Sequence, residues 1–139
     1  MQLRIEIPNE RERLGELLTA IDSALIEHSI APEVRNDLQL IAEEVVCNAM
    51  DYGLDEDTRG PQHLIVVDIA RQANRLHVEF RDTGKPFDPL SQPVPELEDC
   101  ILDRPLGGLG VHLIREVAEA VSYQRDEPYN ILRVVLRAA

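Results

Sequence analysis

Three short groups of residues in this chain have the types and spacing that chemistry needs. Glu44 and Asn48 stand four apart in a helix-like stretch, so they project from one side of it. Asp82-Thr83-Gly84-Lys85-Pro86 closes a strand-like run, and Gly107-Gly108-Leu109-Gly110 opens a helix-like one. A carboxylate at the end of a strand needs donors, and the exocyclic amine of adenine supplies one. Gly84 lets backbone come close to a base. Glycines at a helix start let successive N–H groups converge on phosphates. Arg104, three residues before the second box, is placed to reach a terminal phosphate.

Asn48 falls on the apolar stripe of its helix, three residues beyond Val45 and seven beyond Ile41. An amide buried there without a partner costs about 1–3 kcal/mol. Its carbonyl oxygen suits Mg²⁺, a hard ion that also bridges phosphates. Glu44, one turn earlier, could act as a general base on a hydroxyl or water. Each group taken singly also fits ordinary structure. Glu44 and Asn48 could be an exposed acid and a hydrogen-bonded amide, Asp82 the acceptor of a local turn, and the second box a flexible helix entry. Lys85 and Arg104 could simply be solvated. His28, His63, His77 and His112 show no metal-ligand spacing, and neither do Cys47 and Cys100. Cys47 reads as a packing residue rather than a nucleophile.

The elements that must position these residues follow from apolar periodicity. Leu3, Ile5 and Pro8 mark a first strand of about six residues. Asn9 and Glu12 suggest a capping box for a helix carrying Leu14, Leu17, Leu18, Ile21 and Leu25. After a break at His28 to Pro32, a second helix runs through Leu38, Ile41, Val45 and Ala49 and ends at Tyr52-Gly53. Residues 54–61 read as a loop. Leu64 to Ala70 and Arg75 to Asp82 form a hairpin about Gln72 to Asn74, with Leu76, Val78, Phe80 and Asp82 on one face. Residues 83–106 hold Pro86, Pro89, Pro93, Pro95 and Pro105, five of the nine prolines, and lack periodicity; so long a loop is usually functional. A third helix spans Gly108 to Ala120, with Leu113, Ile114 and Val117 inward. Ala120 to Arg125 and Ile131 to Arg137 make a last hairpin around Asp126-Glu127-Pro128. The order β-α-α-β-β-loop-α-β-β predicts an α/β two-layer sandwich: a mixed, mostly antiparallel sheet covered by helices on one face.

At 139 residues and 44% hydrophobic, the chain is expected to be one domain with a real core. Its net charge of −12 opposes binding to a nucleic-acid backbone, so no nucleic-acid partner is expected. No apolar run approaches the roughly 18 residues of a membrane span. Two free cysteines and the lack of a signal-peptide core predict a cytoplasmic protein.

The order and spacing of the three groups are far more specific than any one of them. Glu44-x-x-x-Asn48 resembles the N box of the gyrase, histidine-kinase and mismatch-repair ATPase superfamily. Asp82-Thr83-Gly84-Lys85-Pro86-Phe87-Asp88 resembles its G1 box, and Leu106-Gly107-Gly108-Leu109-Gly110-Val111 its G2 box. The resemblance covers nearly the whole chain. Within the superfamily, the Pro-Phe-Asp-Pro after G1 and the compact lid resemble the bacterial anti-sigma factor serine kinases of partner-switching systems. Pro86 stands where the superfamily usually has a second glycine; it stiffens the turn and removes an N–H.

This resemblance implies a Bergerat-type fold over residues 1–139 with an ATP lid at about 89–106. It implies ATP and Mg²⁺ as cofactors, with Asn48 on the metal, Asp82 on adenine, and Gly84, Gly107, Gly108, Leu109, Gly110 and Arg104 around the nucleotide. It implies Glu44 as the base that prepares a serine for attack on the γ-phosphate. The implied substrate is a STAS-domain anti-anti-sigma protein, the implied target a sigma factor, and the implied assembly a homodimer. Two other readings compete. A nucleotide-gated binding module would bind ATP and a partner without transfer, and would need no base. A histidine-kinase catalytic fragment is disfavoured, because no phospho-acceptor helix pair precedes the ATP domain. If residues 89–106 form a lid, their amide hydrogen exchange slows when ATP is added; identical exchange with and without nucleotide would remove the lid.

Overall fold

Alternation along the strands decides which side of the sheet the helices cover. The computed structural model describes residues 1–52, 60–91 and 108–138. Five strands are present among them: β1 (Gln2–Asn9), β2 (Gly60–Gln72), β3 (Arg75–Asp82), β4 (Ala120–Asp126) and β5 (Tyr129–Arg137). They form one sheet in the order β1-β2-β3-β5-β4, and every neighbouring pair is antiparallel. The mixed sheet allowed by the sequence is therefore antiparallel throughout. Ile65, Val67 and Ile69 of β2, Leu76, Val78 and Phe80 of β3, and Leu132, Val134 and Leu136 of β5 are buried on one face, as a period of two requires.

That face packs against the apolar stripes of the helices. α1 (Leu14–Glu27) contributes Leu17, Ile21 and Leu25, spaced one turn apart. α2 (Pro32–Tyr52) contributes Leu38, Ile41, Ala42, Val45 and Val46, and α3 (Gly108–Val117) contributes Ile114. The break between α1 and α2 has a defined geometry. Ser29 takes a left-handed φ of 58°. The Ile30 N–H donates to the Leu25 carbonyl at 3.0 Å and the Ser29 N–H to the Ile26 carbonyl at 3.0 Å. This is a Schellman stop. Pro32 then opens α2 at the first helical position, where its missing N–H costs nothing.

The other face of the sheet is polar where the helices do not reach. Asp68 and Glu79 stand opposite each other across β2 and β3. Arg4 reaches Asp68 at 2.7 Å from one side and Arg133 reaches Glu79 at 2.9 Å from the other. The flanking guanidiniums offset a like-charge pair that would otherwise destabilise the ladder.

Several boundaries differ from those expected. Asn9 ends β1, paired with Gly60, and is not a helix cap; a 3₁₀ turn at Arg11–Arg13 leads into α1, whose N-cap Arg13 makes no side-chain cap bond. β2 begins at Gly60, inside the expected loop, because it pairs along all of β1. α3 stops at Val117 so that β4 can start at Ala120. β5 begins at Tyr129, two residues early. Most of the expected lid, 92–106, lies outside the described residues; its start holds a 3₁₀ turn at Pro89–Ser91.

Leu76 is fully buried at the centre of the sheet, whereas Leu40 is 53% exposed on α2. Leu76→Ala is expected to cost about 2–5 kcal/mol in urea unfolding, and Leu40→Ala under about 0.5 kcal/mol. Equal costs would contradict this packing.

Candidate functional site

The apolar layer between α2 and the sheet is interrupted at one place. Asn48 and Asn130 are each only 5% exposed and are the buried polar side chains among the described residues. Both line one small cavity, together with Asp82 and the rings of Phe80, Phe87 and Tyr123. The cavity holds about 30 Å³, room for a water or two. A base entering it must move its walls.

Each polar group reaches the cavity through the period of its element. Asn48 sits one turn after Val45 on the buried side of α2. Asp82 is the last residue of β3 and shares the inward face with Leu76, Val78 and Phe80. Asn130 lies directly across from Asp82 in the β3–β5 ladder, inward with Leu132, Val134 and Leu136.

The Asp82 carboxylate is held by a turn and a neighbour. Its Oδ1 accepts the Gly84 N–H at 2.8 Å and Asn130 Nδ2 at 3.1 Å. Asn130 also donates to the Lys85 carbonyl at 2.7 Å, and its Oδ1 accepts from the Phe87 N–H at 3.1 Å and the Tyr123 hydroxyl at 2.5 Å. Arg125 Nη1 donates to the Gly84 carbonyl at 2.7 Å. The turn after β3 is thus bound to the β4–β5 hairpin by the side chains of Asn130 and Arg125. Near its start, His63 Nδ1 lies 3.1 Å from Thr83 Oγ1.

Electrostatics separates the two carboxylates. Burial pushes the Asp82 pKa up, and the bonds from Asn130 and the Gly84 N–H, with the charge of Arg125, oppose that rise. Glu44, one turn before Asn48, is half-buried, and its Oε1 has no hydrogen-bond partner. Burial raises its pKa as well; hydrogen bonding to Asn48 lowers it, and the charges of Glu43 and Asp51 raise it further. A carboxylate so placed is a better proton acceptor than an exposed one. The Cys47 thiol is also pushed up, chiefly by burial, which suits packing and not nucleophilic attack.

The structure therefore brings Asn48 and Asp82 to one pocket, with Gly84 bonded to Asp82 through its N–H and Glu44 one turn from Asn48. Gly108, Leu109 and Gly110 form the first turn of α3, as expected. Gly107, Arg104 and Cys100 lie outside the described residues. His112 pairs with Glu116 at 2.9 Å, one turn along α3, in keeping with a surface role. Asn130, Tyr123 and Arg125 were absent from the sequence-based site. Asn130 carried the same mark as Asp82, a polar residue at an inward strand position, but lay one residue before the expected strand.

Residues 7–136 match the family described as the histidine kinase-like ATPase domain, and the chain belongs to that family. A relative, the serine/threonine-protein kinase BtrW of Bordetella bronchiseptica, is 29% identical over 106 residues, or 76% of this chain and 72% of that one. The crystal structure of the RsbU and RsbW domains of Rv1364c from Mycobacterium tuberculosis matches with a TM-score of 0.71 at 14% identity, over 99% of this chain and 32% of that one. This chain thus spans about a third of that protein. The SiaB–SiaC complex from Pseudomonas aeruginosa matches with a TM-score of 0.68 at 18% identity, over 96% of this chain and 88% of that one. These two likenesses are of fold, and they bear out the Bergerat-type sandwich. The family match and the kinase relative bear out the resemblance drawn from the three boxes.

A raised carboxyl pKa has a definite consequence for stability. Between the unfolded value of Glu44, about 4.3, and its higher folded value, the folded state binds more protons. Stability from this group therefore falls as pH rises through that window and stays low above it. Glu44→Gln, neutral at every pH, is expected to melt above the native chain at pH 7, with the gap closing below about pH 4. A gap that does not change with pH in thermal melts would contradict the burial of this carboxylate.

Proposed function

We propose that this domain is an ATP-dependent protein serine kinase and anti-sigma factor of a bacterial partner-switching system. Its substrate is a serine of a STAS-domain anti-anti-sigma protein, its alternative partner a sigma factor, and it works in the cytoplasm as a homodimer. The observation that carries the reading is a half-buried carboxylate with an unpartnered oxygen, Glu44, one turn from an asparagine in a pocket that also holds an inward aspartate. A pocket meant only to bind a nucleotide has no need of such a base. The kinase relative adds support for transfer to a protein hydroxyl.

In this reading Asp82 accepts the exocyclic amine of adenine, and Gly84 lets backbone lie against the base. Gly107 to Gly110 offer N–H groups to the phosphates at the start of α3, and Arg104 reaches the terminal phosphate. The buried amide of Asn48 suits a hard cation that keeps its remaining ligands from water and phosphate. Asn48 would hold Mg²⁺, which neutralises charge on the phosphates. Glu44 takes the proton of the serine hydroxyl as its oxygen bonds to the γ-phosphorus and the bond to the β-phosphate oxygen breaks, releasing ADP.

Phosphotransfer from γ-labelled ATP to a STAS protein encoded beside this gene tests the assignment. Glu44→Ala is expected to slow labelling about 10²- to 10⁴-fold while ATP affinity changes less than about threefold. Equal loss of both would remove the base role, and tight ATP binding with no label in the native chain would favour the nucleotide-gated binding module. Asn48→Ala is expected to weaken Mg²⁺-ATP binding at least about tenfold by calorimetry; unchanged affinity would refute the metal assignment.

A further inference from the structure

Asp82 has two oxygens, and its hydrogen bonds from the Gly84 N–H and Asn130 Nδ2 both fall on Oδ1. Asn130 is itself fixed from both ends. Its amide nitrogen is held by the Lys85 carbonyl at 2.7 Å, and its oxygen by the Phe87 N–H and the Tyr123 hydroxyl. It is only 5% exposed. Were the amide reversed, its NH₂ would face the Phe87 N–H and its oxygen would face the Asp82 carboxylate and the Lys85 carbonyl, so the network admits one orientation.

We infer that Asn130 is a positioning residue that sets the base specificity of this pocket, clamping Oδ1 of Asp82 so that Oδ2 is presented as an acceptor to the exocyclic amine of a 6-aminopurine. The inference rests on the proposed nucleotide site. A clamped carboxylate accepts a hydrogen bond and donates none. It therefore favours a 6-amino group, and a 6-oxo group in the same place sets oxygen against oxygen with no proton between them. A site with a buried, oriented acceptor discriminates strongly against a ligand lacking the matching donor. Without the clamp, Asp82 keeps the Gly84 N–H and can turn away from the base or pick up a proton and donate.

The test is the ratio of ATP to ITP affinity, measured by calorimetry on the full chain. ITP differs at the base by a 6-oxo group in place of the amine. The native chain is expected to prefer ATP. Asn130→Asp replaces the donor with a second carboxylate, and Asn130→Ser removes the reach to Lys85. Both are expected to lower the ATP:ITP ratio at least about tenfold while ITP affinity changes less than about threefold. Parallel loss of both nucleotides, or an unchanged ratio, would overturn the inference and leave Asn130 a structural residue only. A native chain that binds neither nucleotide would overturn the nucleotide site itself, a distinct result. The native chain also offers a test that no unfolded variant can spoil. The Nδ2 protons of Asn130 are expected to shift and exchange more slowly in NMR spectra with ATP and not with ITP; the same response to both would overturn the inference.

Discussion

The structure depends on a constraint of burial: polar side chains placed in a dry apolar layer must find partners there. Asn48 and Asn130 enter that layer from opposite sides, one from α2 and one from the sheet, and meet at one cavity. The surrounding walls are apolar side chains, aliphatic and aromatic. Asn130 is satisfied within the protein by bonds to Asp82, Lys85, Phe87 and Tyr123. Glu44 is left with an unpartnered oxygen. The difference divides the site into a part that is prepared and a part that awaits chemistry. In the proposed reading the satisfied network positions the adenine and the carboxylate with a free oxygen takes the proton.

Glu44 lies among like charges as well as under apolar cover. Glu43 and Asp51 both disfavour its ionised form, and Asp51 is itself paired with Arg11. Stability alone would favour a neutral side chain there. Retaining an acid at such a position costs folding energy and gives a stronger base, the kind of exchange expected where a fold serves a reaction. The opposite economy holds on the uncovered face of the sheet. There Asp68 and Glu79 are flanked by Arg4 and Arg133. These pairs are solvated, so each contributes little.

Most of the fold was legible because period and burial coincide. Leu76, Val78 and Phe80 announced the inward face of β3, and the same alternation carried Asp82 to the pocket. The stripe Leu38, Ile41, Val45 carried Asn48. The pairing of β3 with β5 was not legible, since it joins residues 48 to 62 positions apart and no local pattern encodes it. That pairing is what sets Asn130 opposite Asp82. Asn130 was missed for a second, smaller reason: the apolar run that defined the strand begins at Ile131, and the ladder extends past it to Tyr129. Asn9 misled for the converse reason. Its sequence neighbourhood suits a helix cap, and the ladder with Gly60 claimed it for β1.

The cavity is too small for a purine as it stands, and its walls are tied to the same residue that orients Asp82. Phe87 is held through its N–H and Tyr123 through its hydroxyl, both on the single oxygen of Asn130. Widening the pocket by moving the Tyr123 ring or the backbone at Phe87 strains a bond to Asn130, and a displaced Asn130 loosens the clamp on Asp82. In the proposed reading, base entry and base recognition are therefore coupled through one amide. Room must come from a motion that leaves this amide in place. Across the cavity from that amide stand Val45, Asn48 and Ala49 of α2.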